Sequence, residues 1–301
     1  MDSKRRHLYL VLASFAAIYI VWGSTYLFIK LALVELPPFI LAGMRFMMAG
    51  VIIFALSLRN RKKWNLNKKR ITNAIIAGFF FLTWGNGAVS WAMQYIDSGF
   101  VALMISSQPL VLLIMLWVIY RKPILPKSWI GVLLGFVGVY LLVSQNELVA
   151  SQDQWLGVLL IFSALLSWGY GSIFIGRAET PPSFFINSAI QMMSAGVCLT
   201  IFSFLISEPT PSFNTISLKV WLSIAYLVVF GSIIAFTAFN FLLKHISPEK
   251  VATGTYVNPI IAMILGWAVL EEVITYQSIL AACILLMGVY FINFNKQKSV
   301  A

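Results

Sequence analysis

The chain has 301 residues, of which 60% are hydrophobic and only 10% charged. A soluble domain carries about 25% charged residues, so this composition excludes a water-soluble globule and points to an integral membrane protein. The formal net charge of +11 falls in short links between apolar runs, which fits membrane orientation better than a nucleic-acid partner.

A hydrocarbon core about 30 Å thick needs roughly 20 apolar residues per helix. By that rule the sequence predicts ten spans, at 9–30, 39–58, 71–95, 98–120, 128–144, 156–176, 183–207, 219–243, 249–270 and 277–294. The leading "KRRH" with its apolar run imitates a signal peptide. The run is too long, however, and no Ala-x-Ala site closes it, so it reads as the first span. "YIDSG" and "KHISPEK" are links short enough to force tight helical hairpins. Cys198 and Cys283 lie inside apolar runs and read as small core residues, not a disulfide.

With the N-terminus in the cytoplasm, eighteen of the 21 Lys and Arg residues fall on the inner side. Lys30 and Lys219 fall outside, and Arg45 lies within a span. This bias predicts that both termini are cytoplasmic. There is no N-x-Ser/Thr site, in keeping with a bacterial plasma (inner) membrane.

The second half echoes the first. "VALMISSQPLVLLIMLW" at 101–117 lies over "VATGTYVNPIIAMILGW" at 251–267, and "GVY" at 138–140 over 288–290. Trp22-Gly23 meets Trp168-Gly169, and "AGV" at 49–51 meets 195–197. Each copy holds five spans, an odd number, so the second must cross the membrane in the opposite sense. The predicted fold is all-α integral membrane, with ten transmembrane helices as two inverted five-helix repeats at 9–144 and 156–294. Inverted repeats hold substrate near the midplane, where the copies meet.

The stretches "YIVWGSTYLFIK", "PPFILAGMRFMMAG", "WGNGAVSWAMQY" and "SQPLVLLI" resemble the EamA family of the drug/metabolite transporter superfamily, nearest its YedA-like permeases. The resemblance covers nearly the whole chain in two tandem repeats. It implies a ten-helix plasma-membrane carrier for amino acids and related metabolites, or for drugs or sugars.

Polar interruptions of the spans supply the candidate site. Trp22 lies about 20 Å along its span, away from the headgroup belts where anchoring tryptophans sit, and Trp168 is placed likewise. Ser24 and Thr25 add hydroxyls; the plain alternative is that they bond back to their own carbonyls. Pro109 and Pro259 fall mid-span, each preceded by an amide, Gln108 and Asn258. Each proline removes a helical hydrogen bond and frees a carbonyl, of Ile105 and Thr255. "WGNG" at 84–87 adds Trp84 and Asn86, with Gly231 and Ser232 as rough counterparts in span 8. Trp91, Tyr170, Tyr256 and Phe239 are aromatic candidates for a pocket wall. Arg45 is the only charge deep in a span, about 10 Å in. It suits a carboxylate substrate, or else a structural bond to helix-end carbonyls or Glu35. Spans 5 and 10 are almost purely aliphatic and face lipid or a second subunit, as in a homodimer.

No span carries a central Asp or Glu, so a membrane-carboxylate proton exchange has no sequence support. Coupling through Arg45, through His245, or by no ion at all stays open. No phosphate-binding glycine loop, metal-ligand cluster or nucleophile–base pair is found, so no cofactor, metal or catalytic residue is expected. The leading function is a secondary transporter that exports small metabolites such as amino acids by alternating access. The alternatives are an exporter of amphipathic drugs or dyes, or a non-transporting membrane receptor or assembly subunit.

Overall fold

A computed structural model describes residues 3–121, 126–145, 151–246, 248–251 and 257–294. Among these residues the architecture is all helical, with ten principal helices. They are α1 Ser3–Ala32, α2 Pro38–Ser57, α3 Lys68–Ala92, α4 Ser98–Tyr120, α5 Pro126–Val143, α6 Gln152–Ile175, α7 Phe184–Leu205, α8 Leu218–His245, α9 Asn258–Leu270 and α10 Tyr276–Phe294. A short helix, Pro248–Val251, precedes α9. The starts obey ordinary capping chemistry. α2 opens on Pro37-Pro38, where a proline loses no useful N–H. α6 opens on a capping box between Ser151 and Gln154.

Helix contacts follow the repeat. Exchanging α1–α5 for α6–α10 maps α1·α9 onto α6·α4, α1·α8 onto α6·α3, and α3·α7 onto the packing of α8 against α2. The pairs α2·α7, α4·α9 and α5·α10 map onto themselves. Apolar side chains gain little by leaving lipid for one another, so close approach through small residues drives such pairs. At the crossing of α2 and α7 the matched "AGV" glycines serve both sides. A Cβ on Gly50 would stand 2.7 Å from the Met193 side chain, and one on Gly196 would stand 2.9 Å from the Met47 backbone nitrogen. α5 and α10 pair with each other at the periphery, their outer faces exposing Leu133, Phe136, Tyr140 and Leu280.

Among the described residues three helices depart from regular α geometry, and a fourth, α9, shares the proline-led start of one of them. α3 is π-helical over Phe79–Asn86, and α8 over Leu227–Ile234. α4 breaks between Ile105 and Gln108, and its second half starts with Pro109 in the first turn. α9 starts at Asn258 with Pro259 in its first turn. Both of these proline-led helices end on a left-handed residue, Arg121 at φ 52° and Glu271 at φ 58°, at equivalent places 150 residues apart. Thr255 and Tyr256 lie outside the described residues.

Candidate functional site

The irregular segments surround one cavity of about 100 Å³ in the middle of the bundle. Both repeats line it. Trp22 and Thr25 come from α1, Arg45 from α2, Gly85 and Asn86 from α3, and Gln108 from α4. Trp168 comes from α6, Gly231 and Phe236 from α8, and Asn258 from α9.

The π segments explain how the walls are held. Widening the helical turn shifts carbonyls out of the regular ladder, and side chains of the opposite repeat take them. Trp22 Nε1 donates to Gly231 O at 3.2 Å, and Ser167 Oγ donates to Phe80 O at 2.7 Å. Glycine is required where these walls meet. A Cβ on Gly85 would collide with the Trp168 indole, and one on Gly231 would stand 2.8 Å from Thr25 Cγ2 and 2.9 Å from Arg45 Nη2.

Arg45 is 4% exposed. Its Nε donates to Ser232 Oγ at 2.8 Å, and its guanidinium lies 4.9 Å from the Phe46 ring centre. Its hydrogen-bonding partner is thus neither Glu35 nor a helix-end carbonyl: Glu35 accepts instead from Ser217 N at 2.7 Å. Among the described residues the ion pair within reach is Lys69–Glu179, far along the bundle, and no carboxylate sits at ion-pair distance from Arg45. Gln108 Nε2 is buried with no hydrogen-bond partner. Asn86 turns Nδ2 back onto Phe81 O at 3.0 Å, which leaves its Oδ1 as an acceptor. Thr25 Oγ1 donates to Trp22 O at 2.7 Å. On one side the cavity is backed by packed rings: Trp22 and Trp168 lie edge to face at 5.8 Å, and Phe239 lies 5.2 Å from Trp22 and 5.4 Å from Trp168.

Of the residues picked from the sequence, Trp22, Thr25, Arg45, Asn86, Gln108, Trp168 and Asn258 come together on the cavity wall. Pro109 and Pro259 are buried in the first turns of the helices that start there. Four others point elsewhere. Ser24 bonds Val21 O at 2.8 Å and the Tyr226 hydroxyl at 2.6 Å. Trp84 Nε1 donates to Ser163 Oγ at 3.1 Å, and Trp91 packs on Phe39. Tyr170 is 44% exposed and lies on Phe80. The physical reason is helical phase. Successive residues turn by about 100°, so Ser24 and Tyr170, each two residues past a wall tryptophan, face nearly away from it. The sequence reading missed Tyr26, Ile29, Leu82 and Val89 on the same wall. The series 22-25-26-29 and 82-85-86-89 are i, i+3, i+4, i+7 stripes, so helical spacing, not polarity, is the signal that marks these residues.

A two-repeat helical bundle with a cavity lined by polar and aromatic residues of both repeats is the architecture of a membrane transporter. The chain belongs to the EamA-like transporter family, whose model matches residues 7–144 and 155–294. It is 34% identical over 284 residues to the uncharacterized inner membrane transporter YedA of Escherichia coli (strain K12), covering 93% of this chain and 89% of that one. To the uncharacterized transporter YoaV of Bacillus subtilis (strain 168) it is 24% identical over 285 residues, covering 95% and 97%. A solved crystal structure superposes with a TM-score of 0.69 at 17% identity, over 97% of this chain and 99% of that one, a likeness of fold alone.

Proposed function

We propose that the chain is a secondary carrier that exports small metabolites such as amino acids across the bacterial plasma membrane by alternating access. The observation that supports this reading is the cavity itself: both repeats contribute to its wall, the first with twelve lining residues and the second with four, and Gln108 and Asn258 stand at matched helix starts. Five spans per repeat set the copies in opposite senses, and exchange of their conformations would expose the cavity first to one side and then to the other. Lys and Arg crowd the links at one end, which supports a cytoplasmic position for both termini.

The test is flux from liposomes that contain the purified chain and a panel of labelled amino acids and related acids. Time-dependent release, absent from protein-free vesicles, is the expected result. Retention of the whole panel by folded protein overturns the proposal.

The aromatic wall of Trp22, Trp168 and Phe236 favours a second reading, export of amphipathic drugs or dyes. Against it stands the cavity volume, about 100 Å³ against about 300–1,000 Å³ for drug-sized sites. Under the drug reading, Gln108→Leu and Asn258→Leu would matter less than Trp22→Ala or Trp168→Ala; the metabolite reading expects the reverse. A receptor or assembly subunit would bind a ligand and never empty a vesicle.

A further inference from the structure

We propose that the ligand of this cavity is a small organic monoanion: a carboxylate with a second, neutral oxygen acceptor and no ammonium, as in a 2-oxo or 2-hydroxy acid. The proposal rests on the reading of the cavity as the transport site for small metabolites and departs from its amino-acid example, because it makes the carboxylate, not the α-amino group, the feature that is recognised.

The argument is an inventory of charge and of hydrogen-bonding capacity. Arg45 brings a full positive charge to the wall while 4% exposed, and only its Nε is spent on a protein partner, Ser232. A buried guanidinium without a counter-ion is strongly unfavourable, and its planar fork matches a carboxylate in two-point contact. Among the described lining residues there is no Asp or Glu. Gln108 Nε2 is a second buried donor without an acceptor. It comes from α4 and Arg45 from α2, and a neutral acceptor beside the carboxylate is the group that would satisfy it. The second half of α4 and the start of α9 open at Gln108 and Asn258. Helix N-termini carry partial positive charge, which adds to the field of Arg45. An ammonium would bring a second positive charge beside that of Arg45, with no carboxylate among the described lining residues to offset it. The volume of about 100 Å³ limits the ligand to a compact molecule.

The measurement is a titration of the purified full-length chain in detergent, read by tryptophan fluorescence, since Trp22 and Trp168 line the cavity. The probes are pyruvate, lactate, propionate, alanine, ethylamine and chloride at constant ionic strength. Pyruvate and lactate are expected to bind about tenfold or more tighter than alanine, with ethylamine and chloride silent. Arg45→Gln is expected to lose about tenfold or more, and Arg45→Lys to lose less. Gln108→Leu is expected to erase the preference for pyruvate over propionate, a ratio that an overall loss of folded protein would not move. Should Arg45→Gln not fold, the ligand series on the unaltered chain decides alone.

Equal or tighter binding of alanine or ethylamine, a chloride response matching that of pyruvate, or no response to any acid overturns the proposal. Binding needs no turnover, so the two readings fail separately. A chain that binds pyruvate but releases nothing from vesicles sinks the carrier reading alone. Alanine efflux without oxo-acid binding sinks this one alone.

Discussion

At the end of the bundle where α2, α4 and α8 begin, glutamates reach from one repeat to helix starts of the other. Glu208 accepts from Phe39 N and Ile40 N at 3.0 and 3.1 Å, the first amides that Pro38 leaves available. Glu272 accepts from Ser98 N at 2.8 Å, Ser98 Oγ at 2.8 Å and Gly99 N at 3.0 Å. Glu35 accepts from Ser217 N at 2.7 Å. At the opposite end the described links between repeats include an exposed ion pair, Lys69–Glu179 at 3.0 Å, and a bond from Asn73 Nδ2 to Glu179 O at 3.0 Å. A carboxylate on a helix N-terminus satisfies donors that have no partner within the helix and meets the positive end of the dipole. An exposed pair between two flexible side chains gains little over water. The repeats are therefore fastened firmly at the acidic end and loosely at the basic end, although their cores pack in the same pattern. The difference is one of loop chemistry. Glu35 and Glu179 occupy similar links in the two repeats, yet one finds a backbone amide and the other a lysine.

The largest effect should come from Glu272→Ala, which strands three donors at a buried helix start. About 2–3 kcal/mol of stability should be lost, read as a lower thermal midpoint in detergent. Left-handed Glu271 turns the chain so that Glu272 folds back, its N–H meeting Gly266 O at 3.2 Å. A Cβ on Gly266 would collide with that carboxylate, so Gly266→Ala should reproduce much of the loss.

Glu208→Gln should cost less, about 1–2 kcal/mol, because it keeps an oxygen acceptor for one of its two amides. A loss equal to that of Glu272→Ala would mean that the acidic end acts as one unit and not as separate clamps.

Asp97 tests the same region through pH. It occupies the cap position of α4 without bonding the helix, since Glu272 holds the Ser98 and Gly99 amides. Burial first, and then the Glu272 carboxylate, raise its pKa, while Lys30 lowers it. A raised carboxyl pKa favours the protonated form in the fold. The stability linked to Asp97 is therefore present below the unfolded carboxylate range and lost as pH rises through the folded value. Asp97→Asn should stabilise the chain at pH 7, and the gain should shrink as the buffer is acidified. A gain that persists unchanged into acid would show that charge is not its cause.

Glu35 has the opposite sign. Hydrogen bonds from Ser217 hold its carboxyl below the usual range, so its contribution is present above that range and lost as pH falls through the folded value. Smallest of all, Lys69→Ala at the basic end should leave the thermal midpoint unchanged within error. A clear drop would remove the contrast between the two ends.

Much of this molecule was legible in the sequence because lipid leaves few options. A backbone without water must satisfy itself, so a segment of about 20 apolar residues is a helix. Counting such segments found all ten, while matched prolines and glycines announced the two repeats. Trp22, Thr25, Arg45, Asn86, Gln108, Trp168 and Asn258 were found because a polar or aromatic group in mid-membrane needs protein or cavity around it. What polarity could not supply was direction, as Ser24, Trp84 and Tyr170 show.

The tertiary structure alone decided the rest. The π-helical stretches in α3 and α8 arise where glycines let Trp168, Thr25 and Arg45 press against the backbone, and no propensity encodes them. The choice of Ser232 over Glu35 as the hydrogen-bonding partner of Arg45, and of three helix starts as partners for Glu35, Glu208 and Glu272, depends on residues up to 187 positions apart. Sequence sets which groups must not meet lipid; only the packing of the two repeats sets which of them meet each other.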